Sequence, residues 1–280
     1  MMAIKIVTDS SVELTPQEIQ QYDIRVVPLN ITIDGKNYVD GRDITKSEFM
    51  TKMAAAKALP STSQPSIGDF LNVYDELGRA GNQILAIHMT EGLSGTVNAA
   101  RQASVISTSD VTVVDSGFID RGLSFQVLAA AKMAQEDATM ADILARITEI
   151  KAHTKLYVAV STLANLVKGG RVSRGAGLVS SFLNIKVVLE LADGKLEPIV
   201  KGRGQKTLTK FVDSQVTALS QMPHVAGVGI PYAGDRAFAE QIGQDIHAVV
   251  PNAPILVSPT SPIVATHTGP GAFAIIYYTD

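Results

Sequence analysis

Four short segments combine glycine or proline with hydroxyl, imidazole or guanidinium groups: PSTSQPS at 60–66, GLSGT at 92–96, GGRVSR at 169–174 and HTGPGA at 267–272. Glycine reaches positive φ and lets backbone N–H groups approach a ligand closely. Serine, threonine and histidine side chains donate to a carboxylate, and arginine holds one through two parallel bonds. In PSTSQPS, Ser66 reads as the cap of the next helix and the two prolines stiffen the loop. Ser61, Thr62, Ser63 and Gln64 are left without a task, and contact with a ligand is a reading that gives them one. GLSGT follows a strand and opens a helix, so Ser94 and its neighbouring amides lie at a helix N-terminus, which favours an anion. An ordinary Ser/Thr cap explains the same residues. Arg171 and Arg174 follow a helix that ends at Gly169-Gly170, where they serve either an anionic ligand or the negative end of the helix dipole. His267 stands out from the other histidines by the glycine and proline around it.

A second chemistry fits some of these residues. Ser94 as nucleophile, His267 as base and Asp9 or Asp115 as orienting acid would make a serine hydrolase. GLSGT lacks the spacing of the GxSxG elbow, which argues against it. Nucleotide binding through a phosphate loop is rejected by the same kind of test. KGRGQK at 201–206 does not match the phosphate loop GxxxxGK[ST], and GVGIPYAG at 227–234 fails GxGxxG. The histidines show no HExxH spacing, and there is no cysteine, so thiolate metal sites, disulfides and a cysteine nucleophile are ruled out.

The elements that must position these segments alternate in type. A strand at 3–8 leads to a capping box, Thr15-Pro16-Gln17-Glu18, with proline at the first helical position. Residues 25–33 are β-rich and end at an Asp34-Gly35 turn. A second capping box starts at Thr45 and opens a helix to about Lys57, and Ser66 caps a helix to about Ala80. Strands at 83–88 and 111–114 follow, with a helix beginning at Ser94 or Thr96 between them, and helices at 120–136 and 139–152 complete the half. Such a βαβα order predicts a parallel sheet covered on both faces, with ligands beyond the carboxyl ends of its strands. TDSS, MTEGLSGT and VDSG all leave strands at that edge. The second half opens with a strand at 156–161 and carries a hairpin around Asp193-Gly194. A helix at 205–221, strands at 225–230, 255–257 and 272–278, and a helix at 235–249 make a mixed sheet. The boundary is expected near 153–155, giving an N-terminal domain of 1–154 and a C-terminal domain of 155–280.

Composition narrows the partners. The chain has 280 residues, 46% hydrophobic and 18% charged, with a net charge of −3. That is an ordinary folded protein with no general attraction for nucleic acid. The N-terminus turns polar too soon for a signal peptide, and no run approaches the ~20 apolar residues of a spanning helix, so a cytoplasmic location is expected.

TDSS, TSQPS, LSGT, GGRVS and HTGPG, in this order and at these spacings, resemble the DegV family of bacterial fatty-acid-binding proteins that serve fatty acid kinase. The resemblance covers essentially the whole chain. It implies a two-domain α/β protein, a Rossmann-like parallel-sheet domain followed by an α/β domain with a mixed sheet. It implies a long-chain fatty acid as the bound ligand, no cofactor and no catalytic residue. The carboxyl group would be presented to a separate kinase catalytic subunit, which phosphorylates it to an acyl phosphate. Carried over residue by residue, the carboxylate ligands are Thr62, Ser94 and His267, with Ser63 and Gly95 as neighbours and Arg171 behind or gating them. Asp9 and Ser10 shape the strand edge. One departure is visible: Glu91 precedes LSGT where family members often carry serines, and it either alters the local charge or points into water. Arg174, Arg203 and Lys206, with Lys201, form a basic group facing the kinase, an anionic membrane surface, or only solvent. A carrier of another amphiphilic acid remains an alternative. The chemistry agrees: a buried methylene contributes roughly 0.8 kcal/mol, so ~16 carbons supply on the order of 10 kcal/mol before binding entropy is subtracted.

Overall fold

The computed structural model describes residues 3–173 and 185–280. The first half contains β1 (Ile4–Asp9), α1 (Pro16–Gln21), β2 (Arg25–Val27), β3 (Asn30–Ile33), β4 (Lys36–Val39), α2 (Lys46–Ala55), β5 (Ser61–Ser63), α3 (Ile67–Gly78), β6 (Gln83–His88), α4 (Thr96–Ile106), β7 (Asp110–Asp115), α5 (Asp120–Gln135) and α6 (Met140–His153). The second contains β8 (Thr154–Val160), α7 (Ala164–Lys168), β9 (Ile185–Ala192), β10 (Lys195–Arg203), α8 (Gln205–Ser220), β11 (Val225–Ala233), α9 (Arg236–Val249), β12 (Ile255–Pro259), α10 (Pro262–Thr268) and β13 (Ala272–Thr279).

The local signals hold where they are short-range. Thr15, Thr45 and Ser66 each accept the amide of the third helical residue, whose carboxylate returns to the cap amide. Asp34-Gly35 and Asp193-Gly194 have both φ values positive, as a two-residue hairpin turn requires. Three sheets result. The first is parallel, in the order β2-β1-β6-β7. The second is mixed, in the order β10-β9-β8-β13-β11-β12, with only β11 and β12 parallel. The third is a small antiparallel sheet, β4-β3-β5.

That third sheet departs from expectation. The β-rich run at 25–33 divides at Pro28, which has no N–H for a ladder: β2 joins the parallel sheet and β3 leaves it. The edge of β3 not taken by β4 pairs with Ser61–Ser63, so part of the PSTSQPS segment is a strand rather than a loop. A second departure is α10. His267 lies in the last turn of a helix whose N-cap, Ser261, accepts the Val264 amide, whose first residue is Pro262 and whose C-cap is Gly269 at φ 80°.

Packing joins the halves. Helices α3 and α4 cover the outer face of the parallel sheet through Phe70, Tyr74 and Ala100. Helices α8 and α9 cover one face of the mixed sheet through Phe211 and Ile242. Between the two sheets lies α5, which touches β1 and β6 on one side and β8, β11 and β13 on the other. The largest core cluster runs through it, with Leu85 and Ile87 from the first sheet, Leu123 from α5, and Leu156, Leu189 and Ile276 from the second. The loop after β6 also lies on the β9–β10 turn, where a Cβ on Gly92 would collide with the Gly194 carbonyl. The sheets thus separate at α6, while the core does not.

Leu123 is fully buried in this shared core. Leu123→Ala is expected to destabilise by about 2–5 kcal/mol. In urea, followed by fluorescent labels placed in each half, both halves should lose stability together. Unchanged unfolding of the second half would contradict the shared core.

Candidate functional site

The small sheet brings β5 against α10. Thr62, paired with Ile31 in the sheet, directs its hydroxyl to His267, with Oγ1 and Nε2 2.9 Å apart. These residues are 205 positions apart in the chain. The other ring nitrogen, Nδ1, is buried and has no hydrogen-bond partner among the described residues. Gly169 packs on this side of the ring, so closely that a Cβ there would collide with Nδ1. Burial, and then the positive charge of Arg171, lower the His267 pKa to about 4. The imidazole is therefore neutral near pH 7 and bonds through one donor and one acceptor.

Arg171 closes another wall. Its Nε donates to the Leu93 carbonyl at 3.1 Å and its Nη1 to the Gly169 carbonyl at 2.6 Å. It forms no ion pair among the described residues, and burial lowers its pKa. A guanidinium nonetheless keeps its charge, so the site contains a cation that pairs with no carboxylate among the described residues.

Ser94 and Gly95 lie where β6 passes into α4. Gly95 is the N-cap and offers no side chain, so the first turn of α4 begins at the site wall. Ser94 Oγ lies 2.8 Å from Thr96 Oγ1 and accepts the Thr96 amide at 3.3 Å. Gln64 crosses over Gly95 so closely that a Cβ would collide with its Oε1. Gln64, one of the four residues of the first segment left without another task, reaches the site wall through this packing.

Thr62, Ser63, Gln64, Ser94, Gly95, Arg171 and His267 line one cavity of about 380 Å³. That volume falls within the ~300–1,000 Å³ of small-molecule sites. The rest of the lining is mostly aliphatic, with Leu156 and Val158 from one face of β8, Ala274 and Ile276 from the matching face of β13, and Ile263 from α10, joined by Asp120 and Thr268. The cavity therefore has a polar, cationic group of residues and a mostly aliphatic remainder, and lies between the strand ends of the first sheet and a face of the second.

The remaining residues are placed elsewhere. Asp9 is fully buried and accepts from Ser11, the Met89 amide and His88 Nδ1. Burial alone would raise its pKa, but these partners hold it below the usual range. Asp9 thus fixes the ends of β1 and β6. Ser10 Oγ accepts the Leu29 amide. Asp115 accepts the amides of Gly117 and Glu91. Neither carboxylate orients His267, and no described bond joins His267 to Ser94, so a hydrolytic triad is not assembled. Glu91 reaches outward to Arg101 at 2.7 Å and is exposed. Lys201, Arg203 and Lys206 are exposed at the end of β10 and the start of α8, away from the cavity. Arg174 lies outside the described residues.

Comparison with known proteins covers the whole fold. The profile of a family described as "Uncharacterised protein, DegV family" matches residues 3–280. A DegV domain-containing protein of Streptococcus pneumoniae is 50% identical over 276 residues, 99% of this chain and 98% of that protein. A solved DegV family protein from Thermus thermophilus, described by its fatty acid binding, superposes with a TM-score of 0.89 at 30% identity, covering all of both chains. A DegV from Bacillus subtilis, described as a fatty acid binding protein, superposes with a TM-score of 0.91 at 26% identity, again over all of both chains.

The neutral state of His267 is directly measurable. In lipid-free protein, ¹H–¹⁵N NMR of its ring should show a titration midpoint near 4. Because the folded value lies below the ordinary 6.5, the stability tied to this group falls as pH drops from about 6.5 towards 4. A midpoint at or above 6.5 would contradict the burial and the proximity of Arg171.

Proposed function

The chain belongs to the DegV family, and from that premise we propose that it holds one long-chain fatty acid in this cavity and presents the carboxyl group to a separate fatty acid kinase. The carboxylate lies among Thr62, Ser94 and His267, with Ser63 and Gly95 beside it and the charge of Arg171 behind. The aliphatic tail lies against Leu156, Val158, Ile263 and Ile276. The chain itself supplies no catalytic group, and the kinase converts the carboxylate to an acyl phosphate.

The observation that carries this reading is one cavity that combines polar groups and a cation with no ion-pair partner among the described residues with a mostly aliphatic remainder. A fatty acid has the same division. Its tail provides the affinity, at roughly 0.8 kcal/mol per buried methylene. The polar pole keeps a buried carboxylate from being left unpaired, which costs more than losing a neutral partner. Arg171, tied to two backbone carbonyls, balances the charge without having to move. The relatives from Thermus thermophilus and Bacillus subtilis are described as binding fatty acids, which supports the same ligand class here. Kinase presentation rests on the resemblance of the five motifs to proteins that serve such an enzyme. The exposed Arg203 and Lys206 are our choice for the surface the kinase contacts, since they place positive charge on an acidic chain.

Head and tail should separate in mutants. Thr62→Val and Ser94→Ala are expected to slow acyl phosphate formation by a fatty acid kinase at least tenfold, because the carboxylate must be oriented for in-line attack. Retention of radiolabelled fatty acid should fall much less. Equal losses in both assays would contradict the division of labour. In the same kinase assay, Arg203→Glu with Lys206→Glu should raise the KM for the loaded protein; an unchanged KM would remove that surface from the proposal.

A further inference from the structure

One buried cluster takes no part in holding a fatty acid. Lys46 is the first residue of α2, where a cation opposes the helix dipole. Its ammonium crosses instead to the segment after β1, donating to both carboxylate oxygens of Glu13 at 2.8 and 2.9 Å. It also reaches the end of β12, donating to the Pro259 carbonyl at 2.7 Å. The next residue, Thr260, donates its hydroxyl to Asp120 at 2.6 Å. Asp40, Lys46 and Ser261 line one groove of about 480 Å³. Both halves of the chain therefore meet at this cluster.

Its charges are out of balance. Glu13, Asp40 and Asp120 are all buried and present three carboxylates to the ammonium of Lys46. Arg121 lies beside Glu13, but its guanidinium is bound to the Glu13 carbonyl and, at 2.7 and 3.0 Å, to Glu18. Arg42, next to Asp40 in the groove, turns to Asp43 at 3.1 Å. In the cavity that Asp120 borders, Arg171 is tied to two carbonyls and His267 is neutral.

Ionising three carboxylates around one buried counter-ion is unfavourable. Burial raises the Asp40 pKa to about 6, although the Ser10 hydroxyl and Lys46 pull it down. Burial, and then the charge of Glu13, raise that of Asp120, and burial raises that of Glu13 despite Lys46. Opened to water, an aspartate returns towards its ordinary value of 3.8. The stability that Asp40 lends to the shut cluster is thus complete below 3.8 and lost as pH rises through about 6. Opening releases protons and becomes more favourable by up to about tenfold per pH unit in that range. Asp120 carries the same trend.

The cluster reaches the cavity through α10. Thr260 adjoins Ser261, the N-cap of α10; α2 packs against that helix, and Ile263 and His267 on it line the cavity. We propose that Glu13, Asp40 and Asp120, gathered around Lys46, form a pH-sensitive latch between α2 and the β12–α10 turn, shut while it holds a proton and opening as the proton leaves. Opening frees α10 and speeds exchange of the cavity's ligand. That last step rests on the fatty-acid reading above.

The test uses the full chain stripped of lipid. Hydrogen–deuterium exchange, corrected for its intrinsic pH dependence, is followed by mass spectrometry from pH 5 to 7.5. Opening of α2 and α10 should increase about tenfold or more across this range, while α9, on the far face of the second sheet, stays unchanged. Asp40→Asn with Asp120→Asn, which removes two charges and tolerates the left-handed φ of 56° at position 120, should flatten the dependence. Opening that is constant or falls with pH would overturn the latch, as would a rise shared equally by α9 or one that survives the double substitution. The series on the unsubstituted protein, with α9 as its reference, decides alone if the variant does not fold. Transfer of radiolabelled octadecanoic acid to phosphatidylcholine vesicles should quicken over the same pH range. An unchanged rate beside increasing opening would overturn the link to the cavity. Failure of octadecanoic acid to bind at all would instead overturn the fatty-acid reading.

Discussion

The site depends on a single hydrogen bond between distant parts of the chain, Thr62 to His267 at 2.9 Å. Thr62 is carried by a three-residue strand that pairs, among the described residues, with β3 alone, and His267 by a seven-residue helix. Neither element is long enough to be stable alone. Each is held by what it packs against: β5 by the small sheet, and α10 by α2, α7, β3 and β5. The two meet because the larger sheets share the core that runs through α5. The cavity is the space left where this junction faces the segments that follow β2, β6 and β7.

Its electrostatics follow from burial. Among the described residues of the polar pole, Arg171 keeps a charge near neutrality. The imidazole of His267 is held neutral by desolvation and by that same guanidinium. An anion entering the pole meets one cation fixed by two carbonyls, hydroxyls that can turn to suit it, and the first turn of α4. A second positive group would strengthen attraction at the cost of burying more charge, for which the net gain is small.

How much of this was legible in the sequence depends on the range of the signal. Capping boxes at Thr15, Thr45 and Ser66 are read from residues three apart, and the turns at Asp34 and Asp193 from dipeptides; all five are observed. The polar pole was legible for a different reason. Ser, Thr, His and Arg beside Gly are few enough to pick out, and the closeness of Gly169 to His267 and of Gly95 to Gln64 explains why those glycines stand there. Strand β5 and helix α10 were missed because three and seven residues carry no readable periodicity. For α10 the signals were nevertheless present, as Ser-Pro at its start and Gly at its end. The aliphatic wall was not legible at all. Leu156 and Ile276 lie on strands far apart in sequence and read like any core residue. Asp120 reads as an acidic residue at a helix start; only the fold sets it in a cavity wall.

The most direct measurement is the mass of what accompanies the protein when it is purified from bacteria and sprayed intact under native conditions. The expected result is a one-to-one, non-covalent adduct of roughly 250–290 Da, the range of a long aliphatic acid, whose tail burial supplies the affinity. Denaturation should release it, and substituting Thr62 should not prevent its capture. An empty protein that also fails to take up added fatty acid, or a polar adduct of different mass, would contradict the assignment of the cavity.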